Sequence, residues 1–126
     1  MTFRETLDEH LRAINNRDLQ ALEKTLASQE LTLITANGEL FTDTSEFLEL
    51  HRGWFELTTW TVDIVVVGVI ETADLAVATI RLRYRDSPGE GDPIDELSYL
   101  TLVFERMDGR WLLVQDQNTP IKTASK

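Results

Sequence analysis

The sequence predicts an α+β domain with helices in its N-terminal half packed over a curved antiparallel sheet. Three observations predict it. Apolar residues recur at helical spacing as far as residue 57, a period of two takes over from Thr59, and Asn-Gly and Asp-Gly pairs mark tight hairpins. Helices segregated from an antiparallel meander define this class.

The first helix opens at Thr2, which forms a capping box with Glu5. Phe3, Leu7, Leu11 and Ile14 give it one apolar stripe, and Asn15 and Asn16 stop it. Asp18 caps a short second helix whose buried face is Leu19, Leu22 and Leu26. Residues 31–36 are β-prone, Asn37-Gly38 turns the chain because both residues tolerate positive φ, and residues 39–42 return. Asp43 or Thr44 starts a third helix with Glu46 in capping position and a stripe of Phe47, Leu50, His51, Trp54 and Leu57. Four long strands follow, over 60–70, 75–85, 96–106 and 110–118, with a loose Pro- and Gly-containing connection at 87–93. Pro120 ends the last strand, and the tail to Lys126 is expected to fray.

Length and composition bound the function. The 126 residues suit one domain, spanning 1–126, with one core. A 42% hydrophobic and 27% charged make-up is that of an ordinary globular protein. No apolar run approaches the roughly 20 residues of a membrane span, and the polar N-terminus is no secretory signal. The lack of cysteine excludes disulfides, thiolate nucleophiles and Cys-ligated zinc, so a cytoplasmic protein is expected. A net charge of -10 repels nucleic acid and anionic membranes, and neither is an expected partner.

The turns set a register. A turn at Thr72 and Ala73 pairs Asp63 with Arg83 and brings Trp60 toward Asp86, while the 87–93 connection sets Leu82 opposite Tyr99. Cross-strand partners share a face. One face then carries Trp60, Val62, Ile80, Leu82, Tyr84, Leu97, Tyr99, Thr101 and Val103 and belongs under the helices. The other carries Thr61, Asp63, Arg81, Arg83 and Arg85 beside Val65, Val67 and Val69. This half-apolar outer face fits a homodimer, or else a solvated sheet with snorkelling arginines.

The segments HLRAINNRDLQALEKTL, ANGELFTDTSEFLE and FERMDGRWLLVQDQNTP, taken with this order of elements, resemble the nuclear transport factor 2-like superfamily, and within it SnoaL-like, ketosteroid-isomerase-like proteins. The resemblance implies a cystatin-like cone: three helices on a curved mixed or antiparallel sheet of about six strands, usually dimeric, with a pocket between the third helix and the sheet. It does not carry the isomerase chemistry over. Matching the motifs puts the isomerase base near Thr35 or Ala36, its acidic donor at Thr101 and its first-helix Tyr near Ala13, none of which fits its role.

Two residues stand out for chemistry. His51, on the inward stripe of the third helix, is either a proton carrier or a histidine satisfied at the helix–sheet seam. Asp116 shares a strand face with Leu112, Val114 and Asn118, which the resemblance makes the concave one. It is either a base in an apolar cavity or a strand-end carboxylate reaching water. Trp54, Trp60, Tyr84, Tyr99, Thr101 and Asn118 are the candidate ligand-binding residues, as pocket walls and orienting polar groups or simply as core. His10, beside Asp8 and Glu9, reads as surface. No metal site and no cofactor is expected, since the two histidines lack ligand spacing and there is no Gly-rich phosphate loop. Three functions remain: binding of a small apolar molecule, acid–base catalysis on such a molecule (isomerase, dehydratase or cyclase type), and a dimerisation or scaffold role.

Overall fold

A computed structural model describes residues 1–121. The expected frayed tail lies outside the described residues. Helix α1 (Phe3–Asn15) starts with the capping box, Glu5 N–H donating to Thr2 Oγ1 at 3.1 Å and Thr2 N–H to Glu5 Oε1 at 2.9 Å. Asp18 caps the short α2 (Leu19–Glu23), and Asp43 caps α3 (Thr44–Glu56) by accepting from Glu46 N–H at 2.8 Å. Strands β1 (Thr32–Ile34) and β2 (Leu40–Phe41) form the small hairpin. The long strands are β3 (Trp60–Glu71), β4 (Leu75–Asp86), β5 (Ile94–Met107) and β6 (Arg110–Pro120). Asp108 and Gly109 both take positive φ, 50° and 79°, as the tight β5–β6 hairpin requires.

The six strands form one open sheet in the order β2-β1-β6-β5-β4-β3. All neighbours are antiparallel except β1 and β6, so the sheet is mixed. The three helices cover one side of it. Phe3, Leu7, Leu22 and Phe47 from the helices meet Ile80, Leu102, Phe104 and Leu113 from the strands in a core closed to solvent. Phe3 sets its ring edge-on to Phe104 and Trp111, with centroids 5.4 and 5.5 Å away. Truncating Phe104 to Ala is expected to cost about 3–5 kcal/mol.

The register of β3 on β4 is the expected one, Asp63 facing Arg83 and Trp60 facing Asp86. That of β5 differs. Asp86 meets Ile94, so Arg81 lies opposite Tyr99 and Leu82 opposite Ser98. A one-residue slip moves a whole strand's side chains to the other face. Leu97, Tyr99, Thr101 and Val103 therefore lie on the outer face, and Leu100, Leu102 and Phe104 are the buried ones.

Two β-bulges, each leaving one residue unpaired, correct the alternation elsewhere. The shift between Val66 and Gly68 turns Val69 inward beside Ala78. The shift at Val103 and Phe104 leaves Val114 without a partner. Trp111 and Leu113 are thus buried before the bulge, and Asp116 after it, whereas Leu112 and Val114 do not share the buried face expected of them.

Two further expectations are corrected. The α3 stripe ends at buried Phe55 rather than Leu57, because Leu57 is the C-cap and its extended backbone leaves the helical period. His10 is 0% exposed, not a surface residue: the α1 stripe is wide enough to bury Thr6, His10 and Ala13 beside the predicted leucines.

Candidate functional site

A cavity of about 360 Å³ lies between α3, the N-terminal half of β5, the end of β6 and the β1 hairpin. That volume suits a small organic molecule. Ile14, Leu33, Leu82 and Leu100 supply its buried apolar lining, while Ala36, Leu50 and Glu96 sit at its exposed rim. His51, Trp54, Tyr84, Asp116 and Asn118 all line it, brought together from α3, β4 and β6.

His51 reaches the cavity because α3 presents Phe47, His51 and Trp54 along one side at spacings of four and three. Its ring stacks on Phe47 at 4.0 Å and is 8% exposed. Nδ1–H donates to the Phe47 carbonyl at 2.8 Å. A carbonyl only accepts, so Nδ1 carries the proton and Nε2 the lone pair. Burial pushes the pKa down to about 4, against the smaller opposing effect of the Phe47 bond. The imidazole is neutral at pH 7, rather than about a quarter charged as its ordinary pKa would have it.

Asp116 is 5% exposed, beside Leu33 across the β1–β6 pairing. Burial pushes its carboxyl up to about 7, partly offset by the hydrogen bond from Asn118. Asn118 Nδ2 donates to Asp116 Oδ1 at 3.2 Å and to the Ile34 carbonyl at 3.0 Å. This spends both amide hydrogens and ties the carboxyl to the β1 edge. Neither His51 Nε2 nor Asp116 Oδ2 has a protein partner among the described residues, and neither is sealed from solvent. The one sealed, unpartnered side-chain polar atom among these residues is His10 Nε2. Both open atoms therefore face the cavity. The two groups make no hydrogen bond to one another.

The other candidates separate. Trp54 and Tyr84 form an aromatic wall, centroids 6.1 Å apart, and Tyr84 Oη–H donates to Asp86 at 3.0 Å. Burial, then that bond, raise the phenol pKa. Trp60 does not line the cavity. It stacks on Trp54 at 4.1 Å, donates Nε1–H to the Trp54 carbonyl at 2.8 Å, and carries the Arg17 guanidinium over its ring. Its part is to brace Trp54. Arg17 also donates to the Leu57 and Trp60 carbonyls, clamping the α3–β3 connection. Tyr99 and Thr101 lie across the sheet, Tyr99 40% exposed, as a result of the β5 slip. The same slip hid the true β5 lining, Glu96, Ser98 and Leu100. The run Leu100, Leu102, Phe104 was the signal, since over 100–104 it is wholly apolar while the other alternation carries Thr101. Among the described residues no three His, Asp or Glu side chains cluster to hold a metal, and no helix is long and apolar enough to cross a membrane.

The fold recurs in solved structures. An uncharacterised protein with a cystatin-like fold from Caulobacter vibrioides superposes with a TM-score of 0.80 at 14% identity, over 94% of this chain and 87% of its own. A candidate dehydratase of the nuclear transport factor 2-like family from Streptomyces avermitilis gives 0.78 at 15%, over 95% and 94%. A ketosteroid isomerase-like protein from Erwinia carotovora atroseptica gives 0.78 at 16%, over 95% and 94%. At these identities the likeness is one of fold. No functionally curated protein matches the sequence. The SnoaL-like domain model matches residues 4–120, which takes in every helix and strand around the cavity, and the chain belongs to the SnoaL-like family.

Proposed function

We propose that the protein binds a small, mostly apolar molecule in this cavity and moves protons on it, with His51 as base and Asp116 as acid. One observation carries the reading: two buried titratable groups from different elements each open one polar atom onto the same cavity. Their surroundings push the pKa values apart, to about 4 and about 7, and such a split assigns acid and base roles. Between those values His51 is neutral with a lone pair on Nε2 and Asp116 is protonated. Both are then uncharged, the state an apolar cavity favours. The opposite assignment needs His51 protonated and Asp116 ionised, which no single pH populates well.

The reaction class is proton abstraction coupled to proton delivery, as in an isomerisation or a dehydration. In the dehydration of a β-hydroxy ketone, Nε2 would take the α-proton as the C=C bond forms. The C–O bond would break as Asp116 Oδ2 gives its proton to the departing hydroxyl, which leaves as water. The Streptomyces relative's description as a candidate dehydratase accords with this class.

The test is elimination from β-hydroxycyclohexanone, followed by enone absorbance. The expected rate is bell-shaped in pH with limbs near 4 and 7, and falls roughly 10²–10⁴-fold in His51→Ala and Asp116→Asn. Equal rates in parent and variants would sink the assignment. A second reading, binding without turnover, draws on the spent donors Tyr84 and Asn118. It predicts that His51→Ala leaves ligand binding largely intact.

The outer sheet face is proposed as a homodimer interface. Val65, Val67 and Tyr99 are exposed there beside the Arg83–Asp95 and Arg85–Asp63 ion pairs. Native mass spectrometry checks it, a monomer at micromolar concentration being the contrary result.

A further inference from the structure

Charge around the cavity is one-sided. Its ionisable lining groups are His51, Tyr84, Glu96 and Asp116, with no Lys or Arg among them. Glu96, at the rim, has no cationic partner among the described residues. Its neighbour across the sheet, Asp95, is paired twice by Arg83, at 2.9 and 2.6 Å, and Arg85 pairs with Asp63 at 3.1 Å. Those arginines belong to the outer face, and among the described residues no cation compensates the rim.

Asp86 lies two residues along β4 from Tyr84 and is held by two neutral hydroxyls, Tyr84 Oη at 3.0 Å and Thr59 Oγ1 at 2.6 Å. Glu96 is the cross-strand partner of Tyr84 on β5, so both carboxylates neighbour that residue, and both charges act on its phenol. Trp54 meets Tyr84 at 43°, forming an aromatic corner at the same end of the cavity. An uncompensated carboxylate beside aromatic faces attracts a cation, more strongly where water is partly excluded.

A second feature points to a ligand here independently of the rim. Asp116, 95% buried by its 5% exposure, lines the cavity, yet Oδ2 has no protein partner among the described residues. The rim also continues into an outer groove that shares Tyr84, Glu96 and Ser98 with the cavity and runs on over Leu97 and Ile121, so a ligand's end can project there.

We infer that the cavity selects a molecule with an apolar body and a basic nitrogen, the body against Leu33, Leu82 and Leu100 and the nitrogen, as a cation, at the rim between Glu96 and the faces of Trp54 and Tyr84. This rests on the cavity being a small-molecule site, as proposed above. Anionic ligands of the same shape are excluded by the same field.

Three probes with one apolar body test it: phenethylamine, phenethyl alcohol and phenylacetate, titrated at pH 7 by isothermal calorimetry. The amine is expected to bind about tenfold or more tighter than the alcohol, with phenylacetate weakest. Glu96→Lys is expected to reverse the order of amine and phenylacetate; Glu96 is exposed, so this variant keeps the fold. The alcohol binding as tightly as the amine, or Glu96→Lys leaving the order unchanged, overturns the cation selectivity while the cavity reading stands. No binding by any of the three overturns both.

Discussion

Two histidines, one on each of two helices over the sheet, have nearly identical credentials. His10 on α1 is 0% exposed and His51 on α3 is 8% exposed. Each Nδ1 makes one hydrogen bond of 2.8 Å, to Thr25 Oγ1 and to the Phe47 carbonyl respectively. Thr25 Oγ1–H donates to the Leu22 carbonyl, so it accepts from His10, and both rings carry their lone pair on Nε2. Burial is the largest cause of lowered pKa in both, to about 3 and about 4. The difference lies in one atom. His10 Nε2 is sealed in the core, edge-on to Phe104 and without a partner, whereas His51 Nε2 opens on a cavity that also holds Asp116. A perturbed pKa therefore marks burial in both and points to chemistry in only one.

The largest expected effect that sharpens this comparison is on turnover. Elimination from the β-hydroxy ketone probe should fall roughly 10²–10⁴-fold in His51→Ala and stay near the parent rate in His10→Leu. Comparable losses in both would break the distinction.

Next is acid stability. The unfolded chain takes up a proton on His10 below about pH 6.5, and the folded chain only near pH 3. His10 therefore favours folding fully above pH 6.5 and loses that contribution as pH falls toward 3. At about 1.4 kcal/mol per unit the loss is at most of order 5 kcal/mol, and His10→Leu should flatten this limb in urea melts.

Asp116 has the opposite sign. Its folded pKa is raised from 3.8 to about 7, so the folded chain holds a proton that the unfolded chain gives up, and stability falls as pH rises from about 4 to about 7. Asp116→Asn keeps the shape and removes the charge. It should be more stable than the parent at pH 8, by of order 4 kcal/mol, while inactive as a catalyst. The smallest effect is Thr25→Val. It leaves His10 Nδ1 unpaired at a cost of about 1–3 kcal/mol, most of which His10→Leu in the same chain should restore.

Much of this was legible beforehand, for local reasons. Thr2–Glu5, Asp43–Glu46 and Asp108-Gly109 act within a turn of chain, and the caps and the hairpin form where the residues indicate. The β3–β4 register followed from a tight turn. His51 and Asp116 were both legible as cavity residues, although Asp116 arrives there through a bulge at Val114 that simple alternation from Leu112 does not contain. What was not legible depended on length or on distant partners. The connection after Asp86 is long enough to permit either register, and only the burial of Leu100, Leu102 and Phe104 against the helices selects one. His10 sits among charged neighbours in sequence and is buried by Thr25 and Phe104, which no local window contains. The proposed exchange of roles between His51 and Asp116 is likewise tertiary, because the pKa shifts behind it come from desolvation.

The most direct test is an NMR pH titration of the Asp116 carboxyl carbon and the His51 Nε2 nitrogen, with and without phenethyl alcohol. Asp116 is expected to titrate near 7 and His51 near 4, with both signals moved by the ligand while His10 Nε2 stays put. Asp116 titrating near 4, or a ligand that shifts neither group, would contradict an apolar cavity that holds this acid and this base together.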